Sequence, residues 1–258
     1  MDCFKNKTLK KTNCRIIKKC KDGYDFNSNY KCKKKMIKNL PDSEIIDLIQ
    51  TANISNMYDS EIIFDFFSRS DDMPFPGEGI GETIKPVYKN RYEELSKIAE
   101  WRKKLSNFWI KPFVMDGLKW ASVEHYYQAC HFKKNNPDFY SKFSLDSNTE
   151  LSKDPAFAKK AAQKKVTKYK GVLVRDKEIK IDDDFYTTNR YIICMFNALY
   201  GKFTQNDDLK YLLLCTHEAK LNHTVIYTDR KDETIVMNEM MIIRSIISKL
   251  YSEINVLK

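Results

Sequence analysis

The positive charge of this 258-residue chain is confined to one end, and that partition decides which parts can share a core. Residues 1–40 hold 13 of the 45 Lys and Arg residues and 3 of the 35 acidic ones, so the other 218 residues carry 32 of each and are neutral. A stretch of like charge with few apolar residues cannot bury enough surface to offset the entropy of ordering it. The neutral remainder can, in a chain with 15 Tyr, 15 Phe and 3 Trp. The division expected is a basic, Cys-containing tail over 1–40, disordered or adaptor-like, and one domain over 41–258. The tail suits phosphate contacts with nucleic acid, a salt-sensitive and sequence-blind mode; a solvated tail fits the composition equally well. Cys3, Cys14, Cys20 and Cys32 lie in it without a Cys-x-x-Cys, a weak zinc signal, so reduced thiols are the expectation. No apolar run approaches the roughly 20 residues of a membrane span. The start, MDCFKNKTLKK, lacks the apolar core of a secretory signal. An intracellular, cytoplasmic location with no membrane partner is expected.

Local signals order the neutral part. Pro41, Asp42 and Ser43 open a short helix over 44–52. Glu61-Ile-Ile-Phe-Asp-Phe-Phe67 is β-branched and aromatic, as a buried strand requires. Residues 74–81, PFPGEGIG, form a loop, and Leu95, Ile98, Trp101 and Leu105 recur at helical spacing within 92–105. Asp116-Gly117 between short apolar stretches predicts a two-residue hairpin, because both turn positions need positive φ. Ser122 caps a helix over 123–134, and Asp154-Pro155 opens another over 156–165. Asp182 to Asp184 precede a helix over 185–200 that Gly201 stops. Asn206 or Asp207 caps 209–215, and 235–250 forms the last helix. The fold class expected is α+β: one helix-dominated core with a small sheet, plus the tail.

Functional side chains are densest in Trp120-Ala-Ser-Val-Glu-His-Tyr-Tyr-Gln-Ala-Cys-His-Phe132. Glu124, Tyr127, Gln128 and His131 stand at i, i+3, i+4 and i+7 and share one helical face. A carboxylate, a phenol, an amide and an imidazole suit a polar pocket better than a core. The bland alternative is that Glu124 merely complements the dipole of the first turn. No HExxH, P-loop or paired Cys-x-x-Cys competes with this group, and Gly77 to Gly81 lack the strand-to-helix context of a phosphate loop.

These residues carry a resemblance. Leu105-Ser-Asn-Phe-Trp109, Pro112-Phe113, Asp116-Gly117, Trp120 and Ser122-Val-Glu-His-Tyr-Tyr-Gln-Ala129 resemble the NADAR family, which includes YbiA-like riboflavin-intermediate N-glycosidases. Ser68 to Asp72, Phe143 to Ser147, Glu150 to Pro155, Ala219 to Leu221 and Asn238 to Arg244 resemble it in the same order. The tail is not covered, although its stretch from Cys20 to Cys32 is similar to adaptor segments of large DNA viruses; for a viral chain, host cytoplasm or virion would be the location.

The resemblance implies a helix-dominated YbiA-like domain that cleaves an N-glycosidic bond on a ribose-phosphate compound. The implied substrates are the first two, reactive intermediates of riboflavin biosynthesis, or ADP-ribosylated guanine in nucleic acid; a module that binds ADP-ribose or NAD-like ligands without cleavage is a third reading. Breaking the C1–N bond makes the ribose ring cationic, which a carboxylate stabilises. Glu124 is the catalytic candidate, with His131 as acid or base. Asn107, His125 and Gln128 are candidates for ribose hydroxyls or ring amides, Trp120 and Tyr127 for stacking on the base, and Asp229 and Arg230 for the remaining substrate contacts, Arg230 on the phosphate. No cofactor and no metal are needed. Three departures stand out. His131 replaces the family's usual Lys, Ile226-Tyr-Thr-Asp229 replaces Trp-Gly-Asp-Gly, and Gln163-Lys-Lys165 replaces a glycine-rich stretch. The insertion 73–104 resembles a longer eukaryotic and viral branch.

Overall fold

The structure, a computed structural model, describes residues 24–26, 32–34, 40–225 and 231–256. The chain forms two units, Met1–Lys38 and Asn39–Lys258. In the first, β1 (Tyr24–Phe26) and β2 (Cys32–Lys34) pair antiparallel. The tail cysteines as metal ligands lie outside the side chains described.

The second unit begins with α1 (Asp42–Thr51) and β3 (Asp59–Phe66). Two short helices follow, α2 (Glu93–Ser96) and α3 (Trp101–Leu105), then the hairpin β4 (Phe113–Met115) and β5 (Leu118–Trp120). Next come α4 (Val123–Cys130), α5 (Pro137–Ser141), α6 (Pro155–Ala161) and the small hairpin β6 (Lys168–Tyr169) and β7 (Val172–Leu173). The unit closes with α7 (Arg190–Gln205), α8 (Asp207–Cys215), β8 (Ala219–Val225), β9 (Glu233–Val236) and α9 (Asn238–Val256). A three-stranded sheet runs β3-β8-β9, with β3 and β8 parallel and β9 antiparallel to β8. Helix α7 packs on α4, α8, α9 and β4, and Phe196, Leu199 and Phe203 on it are wholly buried. The class is therefore α+β and helix-dominated, with a small sheet. Among the described residues, no helix is long and apolar enough to cross a membrane.

Where chemistry is local, the sequence signals hold. Asp116 (φ 54°) and Gly117 (φ 76°) make the predicted hairpin turn. Ser122 accepts the His125 N–H, and Asp154 accepts those of Ala156 and Phe157 at the head of α6. Cys130, Cys194 and Cys215 are free and buried.

Tertiary contacts overrule the rest. The helix expected over 92–105 is broken at Glu100, whose φ is 53°. Asp72 accepts the Glu100 N–H at 2.9 Å, and Arg102 reaches Glu82 with two 2.7 Å bonds and the carbonyls of Met73 and Phe75. The apolar spacing is genuine, since Leu95, Trp101 and Leu105 are buried, but these long-range bonds turn the chain. Helix α7 starts at Arg190, not at 185, because Asp182 is engaged elsewhere: it accepts the N–H groups of Lys134 and Asn135 and pairs with Arg190 at 2.8 Å. Gly201 does not stop that helix. It lies inside it, where an added Cβ would sit 2.6 Å from Cδ2 of Phe113. Asn206 precedes α8 but makes no side-chain cap bond; its amide donates to the carbonyls of Pro112 and Lys202. Helices α4 and α6 end sooner than expected, at Cys130 and Ala161, and residues 233–236 form a strand rather than the start of the last helix.

Candidate functional site

The site is assembled on the first turns of α4. The hairpin delivers the chain to Ser122, and the Glu124 N–H donates to the Asn107 carbonyl at 3.0 Å. That carbonyl belongs to the segment after α3, which is held from beneath by Lys202. The buried Lys202 ammonium donates to the carbonyls of Ser106 (2.7 Å) and Leu105 (3.1 Å), and burial pushes its pKa down to about 7.

Glu124 is only 5% exposed. Gln128 donates to its Oε1 at 2.8 Å, and among the described residues its other carboxylate oxygen takes no hydrogen bond. Burial raises the carboxyl's pKa above the usual range, opposed by the Gln128 bond and the nearby charge of Lys159. Dipole complementation at a surface does not describe a group placed this way. Lys159, exposed on α6, has its ammonium 5.6 Å from the Phe108 ring and pairs with no carboxylate among the described residues. It also opposes protonation of His223, which burial first of all brings down to about 4. His223 ends the β3-β8 ladder opposite Phe66, with the two rings 5.5 Å apart. Two surface crevices, one bordered by Asp65, Asp71 and Arg102 and one by Met57, His217 and Arg244, are not lined by Glu124.

The other expected residues divide. Asn107 is buried beside Glu124; its amide nitrogen faces Met195 Sδ at 3.8 Å, and its buried Oδ1 has no partner among the described residues. Tyr127 and Gln128 are half-buried on the Glu124 face. Trp120 is not a stacking platform. It is wholly buried, its indole N–H donates to the Met115 carbonyl at 2.9 Å, and Tyr126 and Tyr140 pack on it at 5.1 Å each. His125 is likewise buried, with Nδ1 2.8 Å from Ser122 Oγ, and burial lowers its pKa to about 4. Asp229 and Arg230 lie outside the described residues.

His131 is not free to act as acid or base. Its Nδ1 lies 3.1 Å from the carbonyl oxygens of Tyr127 and of Gln128, and its Nε2 lies 2.6 Å from the Tyr186 hydroxyl. Burial lowers its pKa to about 4, outweighing the two carbonyls that favour its cation. Lys159, Tyr186, Lys202 and His223 were missed because nothing in their local sequence ties them to Glu124. Among the described residues, no group of three His, Cys, Asp or Glu side chains could hold a metal ion.

The NADAR domain model matches residues 89–230, more than half the chain, and the chain belongs to the NADAR family. The resemblances at 68–72 and 238–244 fall outside that match. Among solved structures the chain is similar to the E. coli protein YbiA, determined by NMR, at 20% identity over 76% of this chain and 88% of that one, with a TM-score of 0.43. No curated protein matches.

Proposed function

We propose that this chain is an N-glycosidase that hydrolyses the bond between a ribose-phosphate and an aminopyrimidine, as in the first two intermediates of riboflavin biosynthesis. One observation carries the reading: Glu124 is buried on a helix face, fixed through one oxygen by Gln128, with the other taking no hydrogen bond among the described residues. Departure of the base makes the sugar carbon cationic, and a carboxylate held in a low-dielectric setting stabilises that charge far more than one in water. Its raised proton affinity makes it a stronger base toward the attacking water. We assign the substrate's anion to the exposed ammonium of Lys159, which pairs with no carboxylate among the described residues.

The experiment is incubation with those intermediates and assay of released ribose 5-phosphate. Glu124→Gln lowers kcat by about 10²- to 10⁴-fold, the usual worth of a positioned acid or base, with the fold retained. Undiminished hydrolysis by that variant removes the carboxylate mechanism. The concentration of charge in residues 1–40 favours a second reading, removal of ADP-ribose from guanine in nucleic acid. Deleting those residues then lowers turnover on nucleic acid, steeply so at low salt, and leaves small-molecule turnover intact.

A further inference from the structure

Tyr186 is 54% exposed, yet its ring is not free to turn. Carbonyl oxygens only accept, so the His131 nitrogen facing those of Tyr127 and Gln128 carries the proton. Nε2 is then a bare acceptor, and the Tyr186 hydroxyl donates to it at 2.6 Å. The imidazole itself is clamped, with its centroid 4.0 Å from that of Phe185 at a 32° tilt and Tyr127 edge-on at 5.3 Å. A buried histidine with both nitrogens engaged thus fixes an exposed phenol ring. Tyr191, 38% exposed, extends the aromatic surface with its ring 6.3 Å from Tyr186.

This surface continues the face that carries Glu124. His131 follows Glu124 by seven residues, two turns and about 10 Å along the helix axis. Tyr127 lies between, its hydroxyl within the electrostatic reach of both Tyr186 and Glu124. With Trp120 sealed in the core, Tyr127 and the rings behind it form an aromatic surface on the helix face that carries the carboxylate.

We propose that Tyr186, positioned by His131, is the wall on which the planar base of the substrate stacks, with the sugar directed toward Glu124. The substrate class is a ribosylated aminopyrimidine or purine, and the inference rests on the reading of Glu124 as the hydrolytic carboxylate. His131 is then a positioning residue, and Tyr186 touches the ligand.

The test measures binding of two probes to the full chain carrying Glu124→Gln, in which turnover is slow beside binding: an aminopyrimidine ribosyl 5-phosphate, and ribose 5-phosphate alone. Adding Tyr186→Ala weakens the first by about 5- to 150-fold, the range for one aromatic side chain stacked on a base, and leaves the second unchanged. Tyr186→Trp restores binding of the first. In the otherwise unaltered chain, His131→Phe keeps a ring against Phe185 but removes the acceptor, and it raises KM while kcat stays constant. Equal losses for both probes, no loss for the base-bearing one, or failure of that probe to bind overturns the proposal. If base binding depends on Tyr186 while the unaltered chain releases no ribose phosphate, the hydrolytic reading fails and the stacking wall stands.

Discussion

Lowering the pH from 7 to 5 destabilises this domain through its buried imidazoles, and His131 isolates the effect. Its pKa is about 4 in the folded chain against an ordinary 6.5. Above 6.5 it is neutral in both states and pH has no leverage on it. Between 6.5 and 4 the unfolded chain takes up a proton that the folded one refuses, so stability falls as pH falls. Below 4 the folded state protonates too, and the slope ends. Integrating the two titrations from pH 7 to pH 5 gives a loss of about 2 kcal/mol for this one side chain. The equally buried His125, with the same folded value, adds a similar amount. Glu124 and Asp65 work in the opposite sense, because burial raises their pKa values and the folded state holds their protons more tightly. Total slopes therefore mix signs, and the informative quantity is a difference between variants. Urea unfolding followed by circular dichroism at pH 7 and pH 5, for the unaltered chain and for His131→Phe, yields it. The variant loses about 2 kcal/mol less over that interval, whatever its absolute stability. An identical pH response in the two proteins refutes the placement of His131 as a buried, neutral, hydrogen-bonded ring.

Three further outcomes are expected. Arg102→Met leaves the buried Glu82 carboxylate without its cation and costs about 3–5 kcal/mol in urea melts; adding Glu82→Met does not recover it, because the N–H groups of Gly77 and Gly79 then lose their acceptor as well. Gly201→Ala gains about 1 kcal/mol of helix propensity but drives a methyl to 2.6 Å from the buried Phe113 ring. Overpacking of about 1–3 kcal/mol exceeds that gain, so a higher melting temperature contradicts the packing. Asp116→Ala removes the acceptor of Tyr126 (2.9 Å), Tyr140 (2.8 Å) and Lys133 (2.8 Å). Two buried phenols are left without partners, a loss of about 2–5 kcal/mol, whereas Asp116→Asn keeps an acceptor and recovers part of it.

Features that a few neighbouring residues control were legible before any tertiary contact was known. Asp116-Gly117 specified its turn through backbone dihedrals, Ser122 and Asp154 specified helix starts through hydrogen bonds spanning two or three residues, and the spacing of Glu124, Tyr127 and Gln128 placed them on one face. The family followed from the same local motifs. Tertiary structure decided what those residues do. Whether Glu124 meets solvent or the interior, and whether Trp120 offers its ring to a ligand or to Met115, Tyr126 and Tyr140, depends on segments packed from elsewhere. The bond that engages His131 comes from a residue 55 positions away, and the strand paired with β3 begins at Ala219. Gly201 has the local look of a helix stop because glycine's backbone preference is legible in sequence, while its use as clearance for Phe113 is not. Backbone preference and capping are short-range energies written into adjacent residues. Burial, and with it the proton affinity of Glu124 and the engagement of His131, is a property of the whole packed core.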